Sequence, residues 1–510
     1  MTPVVAAVRG QWVLRTAGEP GVHEVELAVA DGRFALRGPG APNGATLDGA
    51  VGGAVAGAVV GDAASWVIPA LADAHDHGRG LPTIAYGAHD EALEPWIAAL
   101  SLQPAIDPPL LAALALAKLA RSGVAGVVHC HNTQDPAALV EECTAVARTA
   151  AAIGLRLGLA VPMADRNRLG YGPDESVLAL VPHEQRDAVR RRWGAPPPSV
   201  GAQLDVVDAI ADAVAGLPGI HVQYCPVGPQ WCSDELLGAV AEASARTGRR
   251  VHTHLFETRL QREWADAAHP DGLVAHLDRL GLLSDRLTVA HGVWLDDTDL
   301  AVLAERRVVI SVNSTSNLRL RSGVAPLQRF LDHGVRVAVG LDGMSLDDDE
   351  DALREVRLAH LLHAGVGLER GVDAATVLHA ATCVGPVAVA GEGDWGRLAP
   401  GSPADAVVLD GEALGRDLVP GAGHDLRELV VARARARHVR HLVVAGRHVV
   451  RDGAVVGVDD AAVAAEVAEQ ARAAADRHAE LRPAVTALQA GLRTFYATGG
   501  HRGAVPGRSA

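Results

Sequence analysis

Two histidines one residue apart, His75 and His77, follow directly on the apolar run Pro69-Ala70-Leu71-Ala72-Asp73-Ala74. Residues two apart on a strand point to the same side, so both imidazoles can address one point. Three more segments place a reactive side chain where an apolar run ends. They are His252-Thr253-His254-Leu255-Phe256-Glu257, Val289-Ala290-His291-Gly292 and Gly340-Leu341-Asp342-Gly343. The glycines after His291 and Asp342 permit tight turns at a strand end. A lone HxH is weak evidence, but four such events together point to a metal site. Glu257 lies just beyond His254, placed to move a proton, whereas His252 reads as a packed, hydrogen-bonded core histidine.

These residues reach one place only if a repeating frame carries them. Core strands are expected at Trp66 to Ala74, Val124 to Cys130, Leu155 to Val161, His221 to Cys225, Arg250 to His254, Leu287 to Ala290, Val308 to Val312 and Val335 to Leu341. Alanine- and leucine-rich helical stretches separate them, which is the pattern of an α/β (β/α)8 TIM barrel with its active site where the strands end. Short β-like runs at both chain ends (Gln11 to Arg15, Val25 to Ala30, Arg33 to Arg37; Ala406 to Leu409, His441 to Val444, His448 to Val450) predict a small composite β-sandwich domain. The expected division is 1–66 and 396–458 for that domain and 67–395 for the barrel. A helix from Val463 to Leu492 and a flexible tail from Thr498 complete residues 459–510. The Pro-, Gly- and Arg-rich stretch Met163 to Ser199 reads as an active-site loop with a helical piece, and the acidic run Asp347 to Asp351 as a solvated helix cap.

Composition narrows the partners. The 510 residues carry a formal charge of −15, which argues against nucleic acid, because phosphate affinity comes from counterion release at a basic surface. An anionic membrane is disfavoured for the same reason. No signal peptide is evident, and the apolar segment Ala50 to Gly61 is too short to span a bilayer. Five cysteines in an odd, widely spaced set without a CxxC pair predict neither disulfides nor a cysteine metal site, so a reducing cytoplasm is expected.

The run Val67 to His77, the pair His254 and Glu257, the Ala-His-Gly around His291, Ser316-Asn317-Leu318-Arg319-Leu320-Arg321-Ser322-Gly323-Val324-Ala325-Pro326 and the Gly-Leu-Asp-Gly around Asp342 resemble the amidohydrolase superfamily. The branch they look like contains cytosine and guanine deaminases, adenosyl-homocysteine deaminases and triazine hydrolases. The segment Gly396 to Asp405 is similar to that family's return to its β domain. The resemblance implies His75, His77, His254 and Asp342 as ligands of one divalent metal, zinc or alternatively iron, with a water in the remaining position. Glu257 and His291, with Asp342, would be catalytic, moving protons and polarising the substrate. Some superfamily members bridge two metals with a carboxylated lysine on the fourth barrel strand. Here Lys118 is the only lysine and lies in a predicted helix before the second strand, which favours one ion.

The implied reaction is metal-assisted hydrolysis of a carbon–nitrogen bond, other than a peptide bond, in a small heterocycle, foremost a deamination releasing ammonia. Amine or chloride release of the triazine type, cyclic-amide opening and a non-catalytic metal-binding relative are the alternatives. Gln223, Trp231, Trp294, Asn317 and His131 are the candidate substrate contacts, and a homo-oligomer, in the first instance a dimer, is expected. Two segments depart from the related deaminases: Val312-Asn313-Ser314-Thr315-Ser316-Asn317, and Val227 where many relatives carry a histidine. These departures leave the substrate open.

Overall fold

The computed structural model of the chain describes residues 4–35, 57–343 and 347–503. Eight parallel strands pair in sequence order: Leu71–Asp76, Val124–Cys130, Arg156–Met163, Ile220–Pro226, Val251–Leu255, Leu287–His291, Val309–Val312 and Arg336–Val339. Such strands are covered on both faces and therefore read as continuous apolar runs; every residue of Val124–Cys130 is buried. The last strand returns to the first, where the Asp342 amide donates to the His75 carbonyl at 2.8 Å. Gly340 permits that approach, since a Cβ there would lie 2.9 Å from the His75 nitrogen and 2.5 Å from Asn313 Oδ1. Below the site, Val387, Ala388 and Val389 of helix Gly385–Ala390 pack with Ala74, Val128 and Ala160 of the strands. The barrel is thus a (β/α)8 frame with a filled floor.

The chain ends meet in a second sheet of nine strands. Strand Trp66–Pro69 lies between Val5–Val13 and Ala406–Leu409, with Val439–Val444 and Arg447–Arg451 continuing beyond. The expected strand from Trp66 to Ala74 is therefore two strands in two sheets. The reason is visible at Ala70, whose amide donates to Asp405 of the end sheet, while the next amide, Leu71, donates to Gly123 beside the barrel. The run expected to reach Arg37 is seen as Arg33–Ala35; Arg37 and most of Ala50 to Gly61 lie outside the described residues.

Three peripheral expectations are corrected. The C-terminal helix is two, Asp460–Ala473 and Ala475–Ala497, broken at Ala474. The tail expected to be disordered from Thr498 continues into the turn Gly500–Arg502, because His501 is buried and bonds Glu263 at 2.9 Å; residues 504–510 lie outside the described residues. In the acidic run, Asp351 does cap helix Ala352–His363 through the Arg354 amide. Asp347 and Glu350, however, are buried instead of solvated. Among the described residues no helix is long and apolar enough to cross a membrane.

Candidate metal centre and catalytic cavity

At the C-terminal ends of the strands, three imidazoles each have one ring nitrogen engaged. Nδ1 of His77 bonds the Cys130 carbonyl at 2.8 Å and Nδ1 of His254 the Val227 carbonyl at 2.7 Å. A carbonyl only accepts, so both Nδ1 atoms carry the proton and both Nε2 atoms keep a lone pair. Nδ1 of His75 faces Nε2 of His252 at 3.0 Å, which leaves the buried Nε2 of His75 without a hydrogen-bond partner. His252 is the hydrogen-bonded core histidine that the sequence predicts.

Ligand atoms of His75, His77 and His254 lie within 4.8 Å of one another, as do those of His75, His291 and Asp342. Asp342 Oδ1 stands 3.3 Å from His75 Nε2 and 3.2 Å from His77 Nε2, and the Ser316 hydroxyl donates to Oδ2 at 2.6 Å. Neutral imidazole nitrogens and a carboxylate oriented by hydrogen bonds from outside are a donor set that fits a divalent ion. The charges agree with that use. Burial pushes the Asp342 carboxyl up, but His75 and His77 outweigh it and hold it well below the ordinary range. Burial brings His77 down to about 4, helped by Arg79, and places His254 well below its ordinary value.

His291 and Glu257 complete the rim. His291 and Asp342 both have a positive φ, 74° and 65°, each followed by a left-handed glycine. Such backbone is uncommon for residues with a side chain and gathers at functional sites. His291 Nδ1 lies 3.0 Å from Asn317 Oδ1, an acceptor, and 3.2 Å from the Asn313 amide nitrogen, a donor, and its Nε2 faces Glu257 Oε2 at 3.7 Å. Burial, then Asp342 and Glu94, push the Glu257 carboxyl well above the usual range. Burial takes His291 down to about 4, so it is neutral.

A cavity of about 320 Å³ opens over these groups and is bordered by His77, His254, Glu257, His291 and Asp342. Trp231 lines it, edge-on to Tyr171 at 5.6 Å, and so does His131, whose Nε2 lies 2.9 Å from Glu142. The loop Met163 to Ser199 supplies Arg166, Leu169 and Tyr171 to the wall, as an active-site loop would, and contains two helices, Asp174–Leu178 and His183–Trp193.

Three expected substrate contacts are placed elsewhere. Gln223 points to the barrel floor, where its amide donates to the Ala388 and Val389 carbonyls. Trp294 stays at the surface with its indole N–H on the Ser322 carbonyl. Asn317 is buried behind His291 and orients that ring. Lys118 Nζ donates to the Asp348 carbonyl at 2.7 Å.

Trp96, which the sequence places with Trp231 and Trp294 near the mouth, borders the cavity too, and the structure also brings in Glu94 and Arg79, which the sequence does not single out. Glu94 accepts from the Thr258 hydroxyl at 2.5 Å and the Tyr171 hydroxyl at 3.2 Å, and burial pushes its carboxyl up. Its only signal in the sequence is an acid inside the apolar helix Leu93–Ala99.

A sequence model described as the amidohydrolase family matches residues 66–449. The 5′-deoxyadenosine deaminase of Methanopyrus kandleri is 34% identical over 260 residues, 50% of this chain and 59% of that relative. The 5-methylthioadenosine/S-adenosylhomocysteine deaminase of Moorella thermoacetica is 35% identical over 257 residues, again 50% of this chain and 59% of the relative. The chain thus spans 59% of the length of these curated relatives. An adenosine deaminase structure from Xanthomonas campestris with bound zinc superposes with a TM-score of 0.74 at 23% identity. It covers 94% of this chain and 99% of that one, which is a likeness of fold.

Proposed function

The chain belongs to the amidohydrolase family, and from that membership we propose that it hydrolyses a carbon–nitrogen bond of a small heterocycle, as a deaminase releasing ammonia. One observation carries the reading. The Nε2 atoms of His75 and His77 converge on Asp342 within 3.3 Å, beside Glu257, whose Oε2 lies 3.7 Å from His291 Nε2. His75, His77, His254 and Asp342 would hold one divalent ion, zinc in the first place and iron in the second. Bound there, such an ion supplies water activation at neutral pH. The adenosine-type names of the sequence relatives support a purine-like ring among the candidate substrates.

The chain's own groups divide the proton work. In the tautomer with Nδ1–H on the Asn317 carbonyl oxygen, the shorter of its two contacts, His291 presents Nε2 as an acceptor and takes the proton of the attacking water. The imidazolium so formed faces the charge that builds on the tetrahedral adduct. Glu257 hands its proton to the ring nitrogen and takes back the hydroxyl proton of the adduct as the carbonyl forms, and ammonia leaves with the proton returned from His291. Trp231 and Trp96 at the cavity wall support a flat ring as the occupant. Five cysteines without a disulfide support a reducing cytoplasm. Exposed Leu361, Val366 and Leu368 support self-association as a homo-oligomer.

Ammonia release by the metal-analysed protein, measured across adenosine derivatives, pterins, pyrimidines and triazines, tests the reading. On any substrate found, Glu257→Gln is expected to lower kcat at least about a hundredfold with metal content unchanged. Full turnover by that variant would overturn the role of Glu257, and no ammonia from any ring would overturn the deaminase assignment.

A further inference from the structure

Arg79 stands two residues beyond His77, and only 5% of it is exposed. Among the described residues its Nε has no hydrogen-bond partner and its guanidinium forms no ion pair. It lies over the Trp96 ring, 5.9 Å from the centroid, and borders the catalytic cavity. It also borders a second chamber of about 1120 Å³ that shares His77, His131 and Asn132 with the first. The acids that act on it are committed elsewhere. Asp342 is held by His75, His77 and Ser316, and Asp76 Oδ1 accepts from the Gly78 amide.

A buried cation without a partner is costly and is kept where something else completes it. Stacking on one indole accounts for the position of the guanidinium but leaves its charge and its donors unanswered. Arginine stays protonated in proteins, and its planar fork matches a carboxylate with two parallel hydrogen bonds. From these contacts we infer that Arg79 is a specificity-determining residue that pairs with a carboxylate carried by the substrate ring. The inference rests on the cavity being the substrate site. It narrows the substrate from heterocycles in general to heterocyclic carboxylates.

Binding measures this without turnover. Matched carboxylate and carboxamide pairs on pyridine, pyrimidine and purine rings are titrated calorimetrically into the protein purified with its metal. In at least one pair the carboxylate is expected to bind about tenfold tighter or more, the size of a charge-assisted hydrogen bond. Arg79→Met should abolish the preference and Arg79→Lys should keep part of it. Without ligand, Arg79→Met should melt no lower than the unsubstituted protein, because among the described residues the side chain it replaces has no hydrogen bond or ion pair to lose and relief of a buried charge offsets the loss of its stacking on Trp96.

Equal binding within every pair overturns the inference, and so does a preference that survives in Arg79→Met, which would put the carboxylate on the metal. Acetate binding as tightly as the ring carboxylate overturns it in favour of a free anion. Carboxylate preference without ammonia release would keep this inference and sink the deaminase reading. Ammonia release without the preference would do the reverse.

Discussion

A histidine is a defined ligand only when its second nitrogen is already occupied, and that condition is met for the proposed ligands by carbonyls and by His252, while Asn317 faces Nδ1 of His291, the ring proposed to move protons. Asn317→Ala removes the acceptor that fixes His291 and touches none of the ligands. We expect kcat to fall about tenfold to a hundredfold, the usual effect of losing an orienting partner, with KM and metal content little changed. Metal loss in proportion to activity would contradict this. The residues at run ends were legible in the sequence because alternation fixes which side chains face inward. Alternation does not say which end of the barrel an inward side chain reaches, and so Gln223 was assigned to substrate although it serves the floor. Arg79 carries no such signal, because nothing in a sequence marks a charge as unpaired.

At the scale of elements, helix Ser314–Arg319 carries Ser316 and Asn317 to the site, and Glu355 of helix Ala352–His363 holds it there. The Glu355 carboxylate accepts the Thr315 amide at 3.0 Å and the Thr315 hydroxyl. Burial is the main cause that pushes its carboxyl from 4.5 up to about 7, against those hydrogen bonds. The folded chain therefore holds this proton more tightly than the unfolded chain. Its contribution is complete below pH 4.5 and is lost as the pH rises through about 7. The full change is about 3 kcal/mol on the conversion of pKa to free energy. Glu355→Gln cannot titrate, so urea unfolding at pH 5 and pH 8 should show a smaller loss of stability in the variant than in the parent. An equal loss in both would rule the idea out. The element order was readable from periodicity, but the break at Ala70 was not, because both halves of Trp66 to Ala74 are equally apolar and only their partners differ.

For the whole molecule, the cavity is closed by a part of the chain remote in sequence from every ligand. Leu488, Leu492 and Tyr496 of the last long helix line it, and the Tyr496 hydroxyl accepts the Tyr171 amide at 3.1 Å. Tyr496→Ala should raise KM about tenfold and cost roughly 3 kcal/mol of stability, as truncation of a buried aromatic does, while the metal content stays at that of the parent. Unchanged KM would remove this helix from the substrate site. No periodicity pointed to this contact, since the helix reads as ordinary alanine-rich packing.

The strand Trp66–Pro69 sits between a neighbour made before it and one, Ala406–Leu409, made long after. At ribosomal rates of about 5–20 residues per second, its open edge waits on the order of tens of seconds for that neighbour to emerge. Asp342, the last of the four proposed ligands, leaves the tunnel before Tyr496, so in a nascent chain the proposed ligand set is complete while the cavity beside it still lacks a wall.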